Sequence, residues 1–165
     1  MKSGVCVKNE IRVCVKGGPK MDIFNMLRFH ALTEKNKSAV REIYASSFPD
    51  LPLEDLEISW EYRSKEHSTG FWYKSKLIGF AIASYHTRSG GSLYIDYFAI
   101  HNDYRGNGIG SEIIKGFLST IEGSVHLFPI NESLVQWYER NGFTESNKGY
   151  YVYHTYPTRT RILTK

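Results

Sequence analysis

The segment Arg105-Gly106-Asn107-Gly108-Ile109-Gly110 lies between a strand-like run, residues 93–101, and a run with helical periodicity. Its three glycines let the backbone amides approach an anion closely, because no side chains intervene. A helix that begins at such a loop adds partial positive charge at its N-terminus. The segment therefore predicts a strand-to-helix turn that binds a phosphate-bearing ligand.

Two common phosphate-binding loops do not match this segment. A P-loop requires Lys and then Ser or Thr after its last glycine, whereas Gly110 is followed by Ser111 and Glu112. The Rossmann spacing G-x-G-x-x-G also differs from the G-x-G-x-G found here. No paired carboxylates near the loop suggest a magnesium site, and the histidines are scattered, so we expect no metal.

The composition indicates one globular domain. The chain has 165 residues, 41% of them hydrophobic and 23% charged, which is ordinary for a soluble protein. The net charge of +4 comes from dispersed lysines and arginines, so we expect no nucleic-acid partner. There is no apolar run of membrane-span length and no signal peptide, and we expect a cytoplasmic protein with Cys6 and Cys14 reduced.

The order of periodic segments predicts the topology. Residues 1–20 alternate apolar and polar before Gly17-Gly18-Pro19, which predicts an N-terminal extension, a hairpin or loose arm, ahead of a domain over 21–165. The predicted elements are a strand (26–32), two helices (36–48, 53–65), three strands (71–73, 77–85, 93–101), a helix (109–121), a strand (124–128), a helix (131–142) and two strands (143 onward, 150–155).

This order predicts an α/β fold of the α+β type. The strands on either side of the glycine helix should be parallel neighbours through a right-handed crossover. The rest of the sheet, six to seven strands in all, should be largely antiparallel with helices on both faces. An edge strand at residues 150–155 would leave pairing of two copies into a homodimer open.

Two motifs in register resemble a known family. Tyr97-Phe98-Ala99-Ile100 with the glycine loop resembles the acetyl-CoA signature of the GNAT superfamily of N-acetyltransferases, Q/R-x-x-G-x-G/A at the end of a central strand. Asn131, Tyr138 and Gly142-Phe143 resemble its second block, N-x6-Y-x3-G-F. The resemblance covers residues 26–155 and implies transfer of an acetyl group from acetyl-CoA to a primary amine by direct attack in a ternary complex.

The resemblance also implies how acetyl-CoA is held. The loop amides would bind its pyrophosphate, and the backbone of Phe98, Ala99 and Ile100 would pair with the pantetheine arm where the parallel strands splay apart. The implied cofactor-binding residues are Phe98, Ala99, Ile100, Arg105, Gly106, Asn107, Gly108, Ile109, Gly110, Ser111, Asn131 and Tyr138.

In the family the tyrosine of the second block is the general acid, here Tyr138, which would protonate the departing thiolate. The helical pattern alone favours a core tyrosine beside Leu134 and Val135, whereas the register with the family motif favours the acid. Asn131 has a similar pair of interpretations, since it would contact the cofactor, cap the last helix, or do both.

The general base has two candidates. Asp96 lies mid-strand among aromatic residues, where partial desolvation would raise its pKa. His126 lies on the strand after the glycine helix, five residues before Asn131. Each residue also has a purely structural interpretation, and a water chain without a dedicated base remains open.

The sequence says less about where the amine acceptor would bind. Acidic residues of the first two helices would attract a cation or form a solvated face, and Tyr85, Tyr94 and Trp60 would line a cleft or pack in the core. The acidic residues are Asp50, Glu54, Asp55, Glu57 and Glu61. The alternative function is a non-catalytic acetyl-CoA- or acyl-CoA-binding regulatory module that keeps the loop without the chemistry.

Overall fold

The computed structural model describes residues 21–86, 91–106, 108–147 and 149–155. These residues form one seven-stranded sheet in the order β1-β2-β3-β4-β5-β7-β6. The strands are β1 (Leu27–Ala31), β2 (Thr69–Tyr73), β3 (Lys76–His86), β4 (Ser92–Ile100), β5 (Gly123–Leu127), β6 (Thr144–Asn147) and β7 (Tyr150–Thr155). The helices within the described residues are α1 (Met21–Met26), α2 (Lys37–Ser47), α3 (Leu53–Tyr62), α4 (Ile109–Leu118) and α5 (Glu132–Arg140).

The predicted fold class is confirmed. β4 and β5 run parallel on either side of α4, and every other neighbouring pair in this sheet is antiparallel. The element order agrees with the prediction from β1 onward. The predicted N-terminal extension, residues 1–20, and Asn107 of the glycine loop lie outside the described residues.

Two local differences from the prediction have physical reasons. The short helix α1 was not predicted, because its six residues leave directly into β1 without a cap or a full hydrophobic repeat. Helix α3 ends at Tyr62 rather than at residue 65, because Arg63 is extended at φ −61°, ψ 148°. The Arg63 side chain is held there by the Trp60 carbonyl and the Glu34 carboxylate.

The sheet is covered by helices on both faces. α4 and α5 pack on one face, with Ile113, Ile114 and Phe117 fully buried, and α2 and α3 pack on the other, with Val40 and Trp60 fully buried. All residues of β3 from 77 to 84 are buried. A central strand covered on both faces needs such a continuous apolar sequence.

A β-bulge at Asp96 changes the phase of β4. Ile82 pairs with Tyr97 and Ala83 pairs with Ile95, so Asp96 has no partner in the β3–β4 register. Ile95 before the bulge and Ile100 after it both pack on the α4 face. In a regular strand, residues an odd number of positions apart would face opposite sides. Ala99 packs on the α2 face. The sequence pattern did not reveal this bulge.

β4 and β5 separate soon after they meet. Within the described residues their ladder consists of two pairs, Leu93 with Val125 and Tyr94 with His126. β4 continues to Ile100 without a partner on that side, which is the splayed geometry that the family resemblance implies. We call the Tyr94–His126 pair the apex of this opening.

The expectation of a sheet edge at residues 150–155 is wrong. β7 lies between β5 and β6 and is hydrogen-bonded to both. The last strand enters the sheet antiparallel to β5, and β6, which precedes it, becomes the outer strand. The outer strands of the sheet are therefore β1 and β6. No helix among the described residues has the length and apolar character to cross a membrane.

Candidate active site

A cavity of about 460 Å³ lies between the end of β4, the glycine loop and α5. It brings together most of the residues predicted to bind the cofactor. They are Phe98, Ala99, Ile100, Arg105, Gly106, Gly108, Gly110, Ser111, Asn131 and Tyr138. Ile109 differs, because its side chain is buried in the core beneath the loop.

The loop depends on left-handed glycines. Gly106 and Gly108 have φ values of 81° and 80°, a conformation that L-residues with a Cβ adopt at a cost. Gly108 caps α4, and its carbonyl accepts the first helical hydrogen bond from the Glu112 amide at 3.2 Å. The amides of Gly110 and Ser111 lie in the first turn, where helical N–H groups have no intrahelical acceptor. The loop can therefore present donors to an anion.

The Arg105 side chain has a structural role that the motif does not reveal. Its Nε donates to the Ile100 carbonyl at 2.7 Å, and its Nη2 donates to Ser47 Oγ at 2.8 Å. The Arg105 amide donates to the Asn102 carbonyl at 3.1 Å. Arg105 therefore joins the end of β4 to the C-terminus of α2, and its own N–H is already bonded.

Asn131 caps α5. Its Oδ1 accepts from the Leu134 amide at 3.0 Å and from Ser133 Oγ at 2.8 Å. Asn131 also lines the cavity. The capping interpretation is confirmed, and contact with a cofactor stays a prediction.

Tyr138 is both a core residue and a cavity residue. Its side chain is 7% exposed and packs edge-on against Phe143, with ring centroids 5.3 Å apart. Burial raises the pKa of the Tyr138 phenol above its usual value, so the proton is retained at neutral pH. The position suits a proton donor inside the cavity and does not by itself assign that role.

Asp96 and His126 lie at the apex and do not line the cavity. Asp96 accepts a hydrogen bond from Ser84, and its Oδ1 lies 3.9 Å from His86 Nε2. Burial raises the pKa of the Asp96 carboxyl, with the Ser84 hydrogen bond and His86 opposing the shift. For His126, burial first and then nearby His154 lower the pKa, so its imidazole is neutral at pH 7.

Tyr94 contacts the rings of both His126 and His86. Its ring stacks on His126 with centroids 5.0 Å apart and lies 4.2 Å from the ring of His86. This arrangement follows from the Tyr94–His126 register, which sequence spacing alone does not fix. Tyr94 does not line the cavity, and Trp60 is fully buried in the core.

The acidic residues of α3 are partly neutralised. Glu57 binds Lys37 at 2.8 Å and Arg41 at 2.6 Å. These bonds lower the pKa of the Glu57 carboxyl to about 2. In the part of the chain that the structure describes, no three His, Cys, Asp or Glu side chains gather as metal ligands.

Comparisons with known proteins agree with this geometry. The model of the acetyltransferase (GNAT) family matches residues 35–143. A curated relative, the probable spermine N(1)-acetyltransferase of Bacillus subtilis subsp. natto, is 22% identical over 132 residues, 71% of this chain and 87% of that protein.

Two solved structures illustrate the shared fold. Arabidopsis thaliana Naa50 in complex with the bisubstrate analogue CoA-Ac-MVNAL has a TM-score of 0.57 and 19% identity, covering 77% of this chain and 96% of that one. A GNAT family acetyltransferase from Elizabethkingia anophelis with acetyl-CoA bound has a TM-score of 0.59 and 14% identity, covering 74% and 79%.

Proposed function

The chain belongs to the acetyltransferase (GNAT) family, and from this premise we propose that it transfers the acetyl group of acetyl-CoA to a primary amine by direct attack in a ternary complex. One observation carries the proposal. The cavity runs from the glycine loop along the unpaired side of β4 and reaches Tyr138. It therefore joins the glycine loop to a part of β4 without a strand partner on that side and to a protonated phenol.

The residues present suit acetyl-CoA. The amides of Gly110 and Ser111, at the N-terminus of α4, would bind the pyrophosphate. The backbone of Phe98, Ala99 and Ile100 would pair with the amides of the pantetheine arm, because β5 has already diverged from this part of β4. The Ile100 carbonyl already accepts from Arg105 Nε, so the other groups of this segment would carry most of the pairing. With the phosphates at the loop, the arm would run back along β4 toward the apex.

The transfer needs two protons removed from nitrogen and one delivered to sulfur. The deprotonated amine nitrogen attacks the thioester carbonyl carbon, the C–N bond forms, and the C–S bond breaks with its electron pair on sulfur. Tyr138 would donate its phenolic proton to that sulfur, and the second proton that the nitrogen loses as it becomes an amide would restore the phenol through solvent. A β4 backbone amide would stabilise the negative charge on the carbonyl oxygen during attack.

A base at the apex would remove the proton of the ammonium group, whose pKa is about 10 in a simple alkyl amine. The neutral His126 imidazole has an available lone pair. The Asp96 carboxylate is the other acceptor, since its raised pKa brings it closer to useful basicity. The variants His126→Gln and Asp96→Asn separate the two candidate bases.

A second candidate, a non-catalytic acyl-CoA-binding module, is favoured by one observation. Asp96 and His126 lie outside the cavity lining, so donor binding does not require them. Tyr138, buried and protonated within the cavity, favours catalysis instead.

Release of free coenzyme A from acetyl-CoA, measured with a thiol reagent in the presence of a panel of primary amines, tests the proposal. We expect release that depends on the amine and an acetylated amine in equal amount by mass spectrometry. Calorimetric binding of acetyl-CoA with no turnover on any amine would instead establish the binding module.

A further inference from the structure

We infer that the acceptor is a monoamine on an aromatic or other apolar skeleton, bound on a ring-lined surface that begins at the apex. This inference rests on the proposed function, because it names the acceptor class of the same site. We call this the ring surface, and its members are His86, Tyr94, His126, Phe128 and Tyr150.

The ring surface is continuous. Tyr94 lies against His86 and His126 on its two sides, and Tyr150 meets Tyr94 edge-on with centroids 6.2 Å apart. Phe128 contacts Tyr150 at 5.4 Å. The rings thus connect β3, β4, β5 and β7, so a flat apolar group placed there would meet aromatic side chains from four strands.

Its outer part is exposed. Phe128 is 58% exposed and Tyr150 is 44% exposed, although both are large apolar side chains. Ile130, two residues after Phe128, is 62% exposed and lines the donor cavity. The segment that follows Phe128 therefore reaches the cavity in which the thioester would lie.

The backbone holds Phe128 in place. A Cβ at position 149 would lie 3.1 Å from Phe128 Cε2, so the ring packs directly over the turn between β6 and β7. Gly149 has a φ of 87°, and this close approach needs a residue without a side chain. Phe128 therefore packs against the backbone of Gly149 while the rest of its ring is exposed to solvent.

Two carboxylates adjoin the ring surface among the described residues. Asp96 Oδ1 lies 3.9 Å from His86 Nε2 near the apex, and Glu145 Oε1 accepts from the Gly149 amide at 3.2 Å. Asp96 is therefore the carboxylate that can face a single ammonium group at the apex. Glu57 is paired with Lys37 and Arg41, and Glu34 with Arg63. A polyamine would need further unpaired carboxylates spaced along its chain, whereas an apolar monoamine needs one carboxylate and rings.

Steady-state kinetics with matched amines test the inference. The probes are 2-phenylethylamine, propylamine and spermidine, and a peptide with N-terminal Phe tests whether the apolar skeleton belongs to a small molecule or a polypeptide. We expect kcat/KM for 2-phenylethylamine or the peptide to exceed that for spermidine and propylamine by at least about tenfold.

Two substitutions locate the effect. Tyr150→Ala and Phe128→Ala should each raise KM for 2-phenylethylamine about fivefold, while KM for propylamine and for acetyl-CoA stays unchanged. The matched control is Tyr62→Ala, which removes a tyrosine of α3 that is 79% exposed and makes no ring contact with the ring surface. It should leave every constant unchanged.

Two results overturn the inference while leaving the proposed function intact. One is acetylation of spermidine with the highest kcat/KM. The other is an equal loss with all amines in Tyr150→Ala, which would indicate a structural role only. Absence of acetylation with every amine would overturn the inference and the proposed function together.

Discussion

Replacing Gly108 by Ala tests whether the glycine loop binds the phosphates. Gly108 has a φ of 80°, and a Cβ there would meet no heavy atom within 4 Å. The cost to the free protein is therefore that of a left-handed backbone alone, about 1–2 kcal/mol. For a domain of this size we expect the melting temperature to fall by about 3–6 °C.

Gly108→Ala should also weaken acetyl-CoA binding, which the loss of folding stability does not explain. Gly108 lines the cavity, so the new methyl group would occupy space beside the loop amides. We expect acetyl-CoA to bind at least about tenfold more weakly, a loss of about 1.4 kcal/mol, in isothermal titration calorimetry. The measurement is made below the melting range of both proteins.

Gly91→Ala is the matched control. Gly91 has a φ of 85°, and a Cβ at this position would also meet no heavy atom within 4 Å, but it precedes β4 at the end remote from the loop. It should lose the same stability and keep its acetyl-CoA affinity. If Gly108→Ala also keeps its affinity, the assignment of the phosphates to this loop is refuted.

Three further results are expected. Tyr138→Phe preserves the core packing and should lower kcat by about 100-fold or more with the acetyl-CoA affinity unchanged; undiminished turnover would remove Tyr138 as the acid. Burial lowers the pKa of His126 below 6.5, so protonation of its imidazole opposes folding. The melting temperature should therefore fall as the pH drops below about 6.5, and it should fall less for His126→Gln. An identical pH profile for the two proteins would contradict the lowered pKa. Lys37 and Arg41 hold the pKa of Glu57 at about 2, so its contribution is present above pH 4.5 and is lost toward pH 2. Glu57→Gln should flatten that acid loss in a thermal-melt series, with the exposed Glu42→Gln as control. Parallel curves for all three proteins would count against the pairing.

The donor half of the site could be predicted because its residues lie in two contiguous segments. The glycine loop and the Asn131 cap are local features of a helix N-terminus, and short-range rules describe them. The cavity accordingly brings together Phe98, Gly108, Asn131 and Tyr138.

The proposed acceptor half could not be predicted in the same way because it is made by contacts between distant segments. Tyr94 meets His126 only through the β4–β5 register, and Phe128 meets Tyr150 only because β7 is inserted beside β5. The bond between Arg105 and Ser47 spans 58 residues of sequence. Periodicity within one element carries no information on such pairings.

The bulge at Asp96 has a consequence for how the enzyme can change. It divides β4 into two halves whose side chains alternate in opposite phase, so Tyr94 and Phe98 face opposite sides of the sheet. One half contributes to the ring surface and the other to the cavity. If the proposed function holds, a substitution in residues 92–95 would alter the choice of amine while residues 98–100 keep their contacts with the donor.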